Sequence, residues 1–246
     1  MPPPAPEPSA FQPLAPAPHG SPEAARRLIR MSQPIAGTIV AAYLRQRGIT
    51  DLRGAGNLYF HPHCYYRPDE HAPTETWPAM IAAVTDLDGM ITGAHRTWLD
   101  SRRHDKAPFE TPRRAMGDLL GNAVRFGAGG EVMAAGEGIE TVLSIRQVVP
   151  NMPMVAALSA AHLAAILFPD TLRRLYILRD DDPAGDGARD TLVERANAAG
   201  IEAILISPQL GDFNEDLRTF GLATLRGQTR VQLGPQDVAR FMALAA

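Results

Sequence analysis

Apolar positions recur along this chain at two different periods, and the fold changes where the period switches. Residues 1–22 (MPPPAPEPSAFQPLAPAPHGSP) carry proline and alanine with no apolar stripe, which predicts a disordered or polyproline-like tail. From Glu23 the spacing turns helical, with Ala24, Leu28 and Ile29 on one face. A second helical run follows Pro34, where Ile39, Val40, Tyr43 and Leu44 recur until Gly48 stops it. Residues 58–66 (LYFHPHCYY) read as extended chain. Residues 79–85 and 90–99 flank Asp86-Leu87-Asp88-Gly89, whose Asp-Gly pair predicts a two-residue hairpin turn. Arg96 then falls near the end of the second strand.

After Gly127-Ala128-Gly129-Gly130 the pattern changes. Short apolar strands at 132–135, 154–157, 172–178 and 201–206 alternate with helical stretches at 139–148, 160–167 and 184–199. Strands separated by helices of that length predict a parallel α/β sheet with a Rossmann-like layout. The chain thus divides into the tail 1–22, a smaller α+β subdomain over 23–128, an α/β domain over 129–222 and a helical tail over 223–246.

Composition removes several function classes. The hydrophobic share of 45% and the charged share of 21% are those of a soluble globular chain, and the 246 residues suit one large domain or two small ones. A single cysteine, Cys64, excludes an internal disulfide framework and a four-cysteine zinc site. His61 and His63 lie beside it, but no second ligand cluster follows, so packing explains them better than zinc does. No stretch has the length of a membrane span and no signal layout opens the chain, so a cytoplasmic protein without a membrane partner is expected. A net charge of −3 argues against coating nucleic acid by charge alone. The segment from His95 to Arg125 nevertheless gathers arginines, and Lys106 within it is the one lysine among 24 Lys and Arg residues.

The candidate chemistry lies in two acidic strand ends. Glu137 follows the strand 132–135 directly, between Gly136 and Gly138, and Asp180 and Asp182 follow the strand 172–178. Ligand sites of open α/β sheets lie beyond the carboxyl ends of the strands. Residues two apart in extended chain point the same way, so Asp180 and Asp182 are expected to face Glu137 with Asp181 turned away. Carboxylates brought so close repel unless a cation lies between them, and hard oxygen ligands suit Mg²⁺ (or Mn²⁺) and phosphate chemistry. Gly211-Asp-Phe-Asn-Glu-Asp216 adds Asp212 at a further strand end, with Asp216 one helical turn beyond. A capped turn is the alternative reading of each motif taken singly. Glu140 and Asp186 fit the first turns of helices, where negative charge suits the dipole.

At these residues the chain resembles the Toprim domain family, the catalytic module of DnaG-type primases, topoisomerases and OLD-type nucleases. The family's glutamate after the first strand and its later D-x-D match Glu137 and the pair Asp180 and Asp182. Its further acidic stretch matches Asp212 and, less closely, Asp216. The segment 78–117 is similar to the basic subdomain that precedes Toprim in primases, with Arg96 and Lys106 at the positions that imply contacts to template or nucleotide phosphates. The whole resembles primase-like Toprim proteins of plasmids and phages.

That resemblance implies a Mg²⁺-dependent nucleotidyltransferase that makes RNA primers on single-stranded DNA from nucleoside triphosphates during replication. Glu137, Asp180 and Asp182 are the implied catalytic set, and these three with Asp212 the implied metal ligands. The alternatives are a Toprim nuclease and a non-catalytic nucleic-acid-binding partner of a helicase. Within the 246 residues there is no zinc-binding template domain, no G-x-x-x-x-G-K loop and no topoisomerase tyrosine, Tyr176 falling inside a core strand. A separate replicative helicase or zinc-binding template-recognition protein is therefore an implied partner.

Overall fold

The computed structural model describes residues 20–69, 71–181 and 183–242. The expected tail at 1–22 falls mostly outside them, and its last residues already start a helix. Helix α1 (Pro22–Arg30) opens where the Ser21 side chain accepts the Ala24 N–H at 3.3 Å, and Pro22 fills a first-turn site that needs no donor. Its apolar stripe buries Ala25 and Ile29.

Next come β1 (Gln33–Pro34), α2 (Ile39–Gln46), β2 (Leu58–Tyr66), β3 (Glu75–Thr85), β4 (Ile91–Asp100), β5 (Asp105–Lys106) and β6 (Arg113–Gly117). The strands form an antiparallel sheet in the order β1-β2-β3-β4-β5, with β6 also paired to β4. The β3–β4 hairpin is where expected, but its loop has three residues, not two. Asp86 and Met90 close it, and the Asp86 carboxylate accepts the N–H groups of Asp88 and Met90 at 3.0 and 2.8 Å. Gly89 takes the left-handed conformation (φ +81°) that such a loop requires.

The second sheet has the order β11-β10-β8-β9-β7, from β7 (Val124–Phe126), β8 (Val132–Gly136), β9 (Met154–Ala156), β10 (Arg174–Leu178) and β11 (Glu202–Ile206). It is parallel except for β7, which runs antiparallel to β9. Strand β7 precedes residue 129 yet belongs to this sheet, and a bridge from Thr85 to Ala123 links it to the first. Helices α3 (Ile139–Arg146), α4 (Ala160–Ala165), α5 (Pro183–Ala198), α6 (Phe213–Gln232) and α7 (Pro235–Phe241) complete the fold. Gly221, at φ +79°, bends α6. Helix α7 is pinned to β10 by Asp237, which pairs with Arg174 and accepts the Tyr176 hydroxyl, both at 2.7 Å. Tyr176 is thus buried and bonded, as a core tyrosine should be.

One core runs through both halves. Tyr43, Leu44, Met80, Ala82 and Leu99 from the first pack with Phe126, Val142, Leu178 and Phe213 from the second. A smaller cluster on the other face of the antiparallel sheet joins α1 to Cys64, Tyr66, Ile81 and Trp98. Strand β4 is therefore covered on both sides. Among the described residues no helix is long and apolar enough to cross a membrane.

Candidate active site

Strands β8 and β10 are parallel neighbours in register, Ile177 beside Ala135, so both end at the same edge. Glu137 lies one residue past β8 and Asp180 two residues past β10, each half-buried. The strand order places β9 on one side of β8 and β10 on the other, and ligands bind open α/β sheets at such a reversal. Gly136 packs closely here: a Cβ would come within 3.1 Å of both the Leu178 Cβ and Val142.

The edge is held rigidly. The backbone N–H groups of Ala157 and Leu158 donate to the carbonyls of Gly136 and Glu137 at 2.9 and 2.8 Å. Leu158 makes its bond from the left-handed region, at φ +79°, a conformation that costs a branched residue about 1–3 kcal/mol. Such strain persists where the surroundings over-determine it, and here it fixes the backbone that carries Glu137. Thr141, on the first turn of α3, donates its hydroxyl to Asp180 Oδ1 at 3.4 Å and so ties the two strand ends together. Neither Leu158 nor Thr141 stands out in the sequence. Thr141 was findable from its place one turn after the glycine-flanked glutamate.

Asp181 turns away as expected, exposed and paired with Arg179 at 2.7 Å, while its N–H donates to the Gly211 carbonyl at 2.8 Å. Asp182 lies outside the described residues. Asp212 reaches the same region but caps α6, accepting the Glu215 N–H at 2.7 Å. Asp216 is fully buried and accepts the N–H groups of Gln209 and Leu210 at 2.8 and 2.9 Å, so it staples the loop after β11. Among the described residues no three His, Cys, Asp or Glu side chains gather closely enough to hold a metal ion. The structure thus brings Glu137 and Asp180 to one edge and turns the 211–216 carboxylates to local backbone.

Lys106 occupies a joint between the halves. Its ammonium is 3.1 Å from Glu140 Oε1, which also accepts the Tyr43 hydroxyl. Glu140 stands in the first turn of α3, where the helix dipole favours it, and is buried at the centre of a polar network. Burial pushes its carboxyl up, and the charge of Lys106, the Tyr43 hydroxyl and Arg113 together outweigh that and hold it down at about 2. His95, packed beside this group, is pushed down to about 4, by burial above all. Nearby, Arg47 pairs with Asp105 at 2.7 Å, and Asn214 bonds both the Arg47 carbonyl and Ser144.

Arg96 does not join Lys106. On β4, His95 and Leu99 face the second half of the chain, whereas Arg96 and Trp98 face α1. Arg96 and Lys106 lie on opposite faces of one sheet, because neighbours along a strand alternate and Lys106 pairs with Leu99. His61 accepts the His63 N–H at 3.2 Å and Cys64 is buried, its thiol pushed up to about 11 by desolvation. This is packing at a register slip in β2.

Comparison with known proteins places this geometry. Residues 132–223 match the model of the Toprim domain, and residues 19–126 match a domain of unknown function, DUF7146. No curated protein matches the chain. Among solved structures, the zinc-binding and RNA polymerase domains of the Aquifex aeolicus primase are 18% identical with a TM-score of 0.59, covering 86% of this chain and 60% of that one. A primase domain from Pseudomonas aeruginosa is 14% identical with a TM-score of 0.58, covering 85% and 78%. The E. coli primase catalytic core is 14% identical with a TM-score of 0.52, covering 89% and 85%. This chain therefore spans about three fifths of the Aquifex aeolicus chain, and at these identities the likeness is one of fold.

Proposed function

The second half of this chain carries a Toprim domain and the whole has the fold of primase catalytic cores, and from that premise we propose a metal-dependent nucleotidyltransferase acting on nucleic acid. Its reaction is synthesis of RNA primers on single-stranded DNA from nucleoside triphosphates, in the replication of a plasmid or phage, with a helicase or zinc-binding protein as separate partner. One observation carries the reading: two parallel neighbours deliver Glu137 and Asp180 to the same edge at the point where strand order reverses.

The donor set suits Mg²⁺ or Mn²⁺, because magnesium takes one or two carboxylates and leaves its other positions to water and phosphates. Glu137 and Asp180 would hold it, with Asp182 the third candidate. When bound, such an ion would offset the charge of the triphosphate and the negative charge that develops on the 3′-oxygen as it attacks and pyrophosphate leaves. The remaining work falls to the chain. Thr141 orients Asp180, and the Leu158 and Ala157 amides keep Glu137 from drifting. Lys106, about one quarter exposed, pairs with Glu140, three residues after Glu137, and so brings positive charge to the start of α3.

The test incubates the purified chain with Mg²⁺ or Mn²⁺, single-stranded DNA and nucleoside triphosphates, with Asp180→Asn as control. Longer products that the variant fails to make support the proposal. Shortened substrate would identify a nuclease instead, and bound but unaltered DNA would identify a non-catalytic partner.

A further inference from the structure

Helix α1 does not seal the face of the antiparallel sheet that it covers. A cavity of about 420 Å³ remains between α1 and β2, a volume within the ~300–1,000 Å³ typical of small-molecule sites. Its wall is mainly apolar: Ala24, Leu28 and Met31 come from α1, Cys64 and Met116 from the sheet. Met31 is 61% exposed although it lines this space, so part of the apolar wall meets water. A ligand that covers such a wall gains by removing it from solvent.

Two cations border the cavity, and no carboxylate does among the described residues. Arg96 reaches it from β4, half-buried over the Trp98 ring at 5.1 Å, with its Nε buried and lacking a hydrogen-bond partner. Burial lowers its pKa, and the charge of Arg114 adds to that. Arg27 reaches it from α1, where the one acid of the helix, Glu23, pairs with Arg26 at 3.6 Å instead. A guanidinium taken out of water without an anion is costly, so negative charge is favoured here.

These two properties select the occupant. A nucleobase needs a ring to stack on, and alternation along β2 turns the Tyr65 ring to the face opposite Cys64. A free phosphate leaves the apolar wall unused. An amphiphile uses both, because a carboxylate matches a guanidinium fork and an alkyl chain matches the wall. We infer that this cavity binds a small amphiphilic carboxylate, its chain against Leu28, Met31 and Met116 and its head group on Arg96.

The experiment titrates the full chain in EDTA with straight-chain carboxylates from hexanoate to decanoate, below their micelle concentrations, and follows the heat of binding. One molecule is expected to bind per chain, each added methylene tightening binding ~fourfold, as transfer of a CH₂ out of water predicts. Decanol, which keeps the chain and lacks the charge, is expected to bind about tenfold more weakly than decanoate. Arg96→Met should erase that preference by weakening decanoate about tenfold and leaving decanol unchanged. Ala24→Trp, which adds bulk to the cavity and removes no core contact, should weaken both ligands about tenfold or more while the melting temperature holds.

No binding by the wild type would overturn the inference, and so would affinity that is indifferent to chain length. Unchanged decanoate binding by a folded Ala24→Trp variant would place the ligand elsewhere and overturn it too. Displacement of decanoate by an equal concentration of a synthetic peptide of residues 1–19 would assign the cavity to the chain's own N-terminal segment instead. Because binding is read without metal, any of these failures leaves the catalytic proposal as it stands.

Discussion

Glu137 and Glu140 stand three residues apart at the start of one helix and have opposite fates. The edge that carries Glu137 also carries a second strand-end carboxylate and is held from behind by backbone and by Thr141. The joint that carries Glu140 is closed, and its carboxylate is matched by Lys106, Tyr43 and the charge of Arg113. The first arrangement gathers carboxylates at the strand ends of the parallel sheet. The second uses the same chemistry to fasten two halves of a protein. Residue type therefore does not separate a reactive carboxylate from a structural one; the company it keeps does.

Breaking each side of this contrast should give opposite phenotypes. Asp180→Asn or Glu137→Gln should cut metal-dependent activity a thousandfold or more, ~4 kcal/mol of barrier, while the melting temperature holds or rises as carboxylate repulsion is relieved. Lys106→Met should do the reverse in stability, costing about 3 kcal/mol or more in urea unfolding because it leaves Glu140 buried and unpaired. Lys106→Met with Glu140→Gln should recover most of that loss. Activity that stays low in the recovered double variant would show that Lys106 also serves phosphate.

The joint also has a pH signature. His95 is held neutral, its folded pKa of about 4 lying below the ordinary 6.5, so between these values the unfolded chain binds a proton that the folded chain does not. Stability should fall as pH drops from 6.5 towards 4, by up to about 3 kcal/mol, and His95→Gln should remove most of that slope. Glu140 adds a loss at lower pH, from 4.5 down through about 2. Smaller effects belong to the supports. Asp216→Asn should cost about 1–3 kcal/mol through the two backbone N–H groups it satisfies. Thr141→Val should lower activity about tenfold with little change in melting temperature, since it removes only the orientation of Asp180.

Much of this architecture was legible in the chain. The switch from helical and hairpin patterns to alternating strands and helices predicts both sheets, and glycine-flanked Glu137 and the turn after Leu178 mark the edge. Three features were not legible, each for a physical reason. Strand β4 has buried residues on both faces, so alternation alone does not say which face looks towards the carboxylates or that Arg96 and Lys106 lie on opposite sides of the sheet. Glu140 fits a first-turn helix residue, and only the long-range approach of Tyr43 and Lys106 reveals its burial. The acidic run at 211–216 carries the residue types of a metal site, yet backbone donors from the loop after β11 occupy Asp216 and the α6 terminus occupies Asp212.

The contrast between edge and joint is tested most directly by Mn²⁺ titration followed by electron paramagnetic resonance on the purified chain. The account predicts that the wild type and the Lys106→Met/Glu140→Gln variant bind Mn²⁺ alike, while Glu137→Gln and Asp180→Asn each lose most of that binding. Equal Mn²⁺ binding by the wild type and both edge variants, with each variant folded, would contradict it.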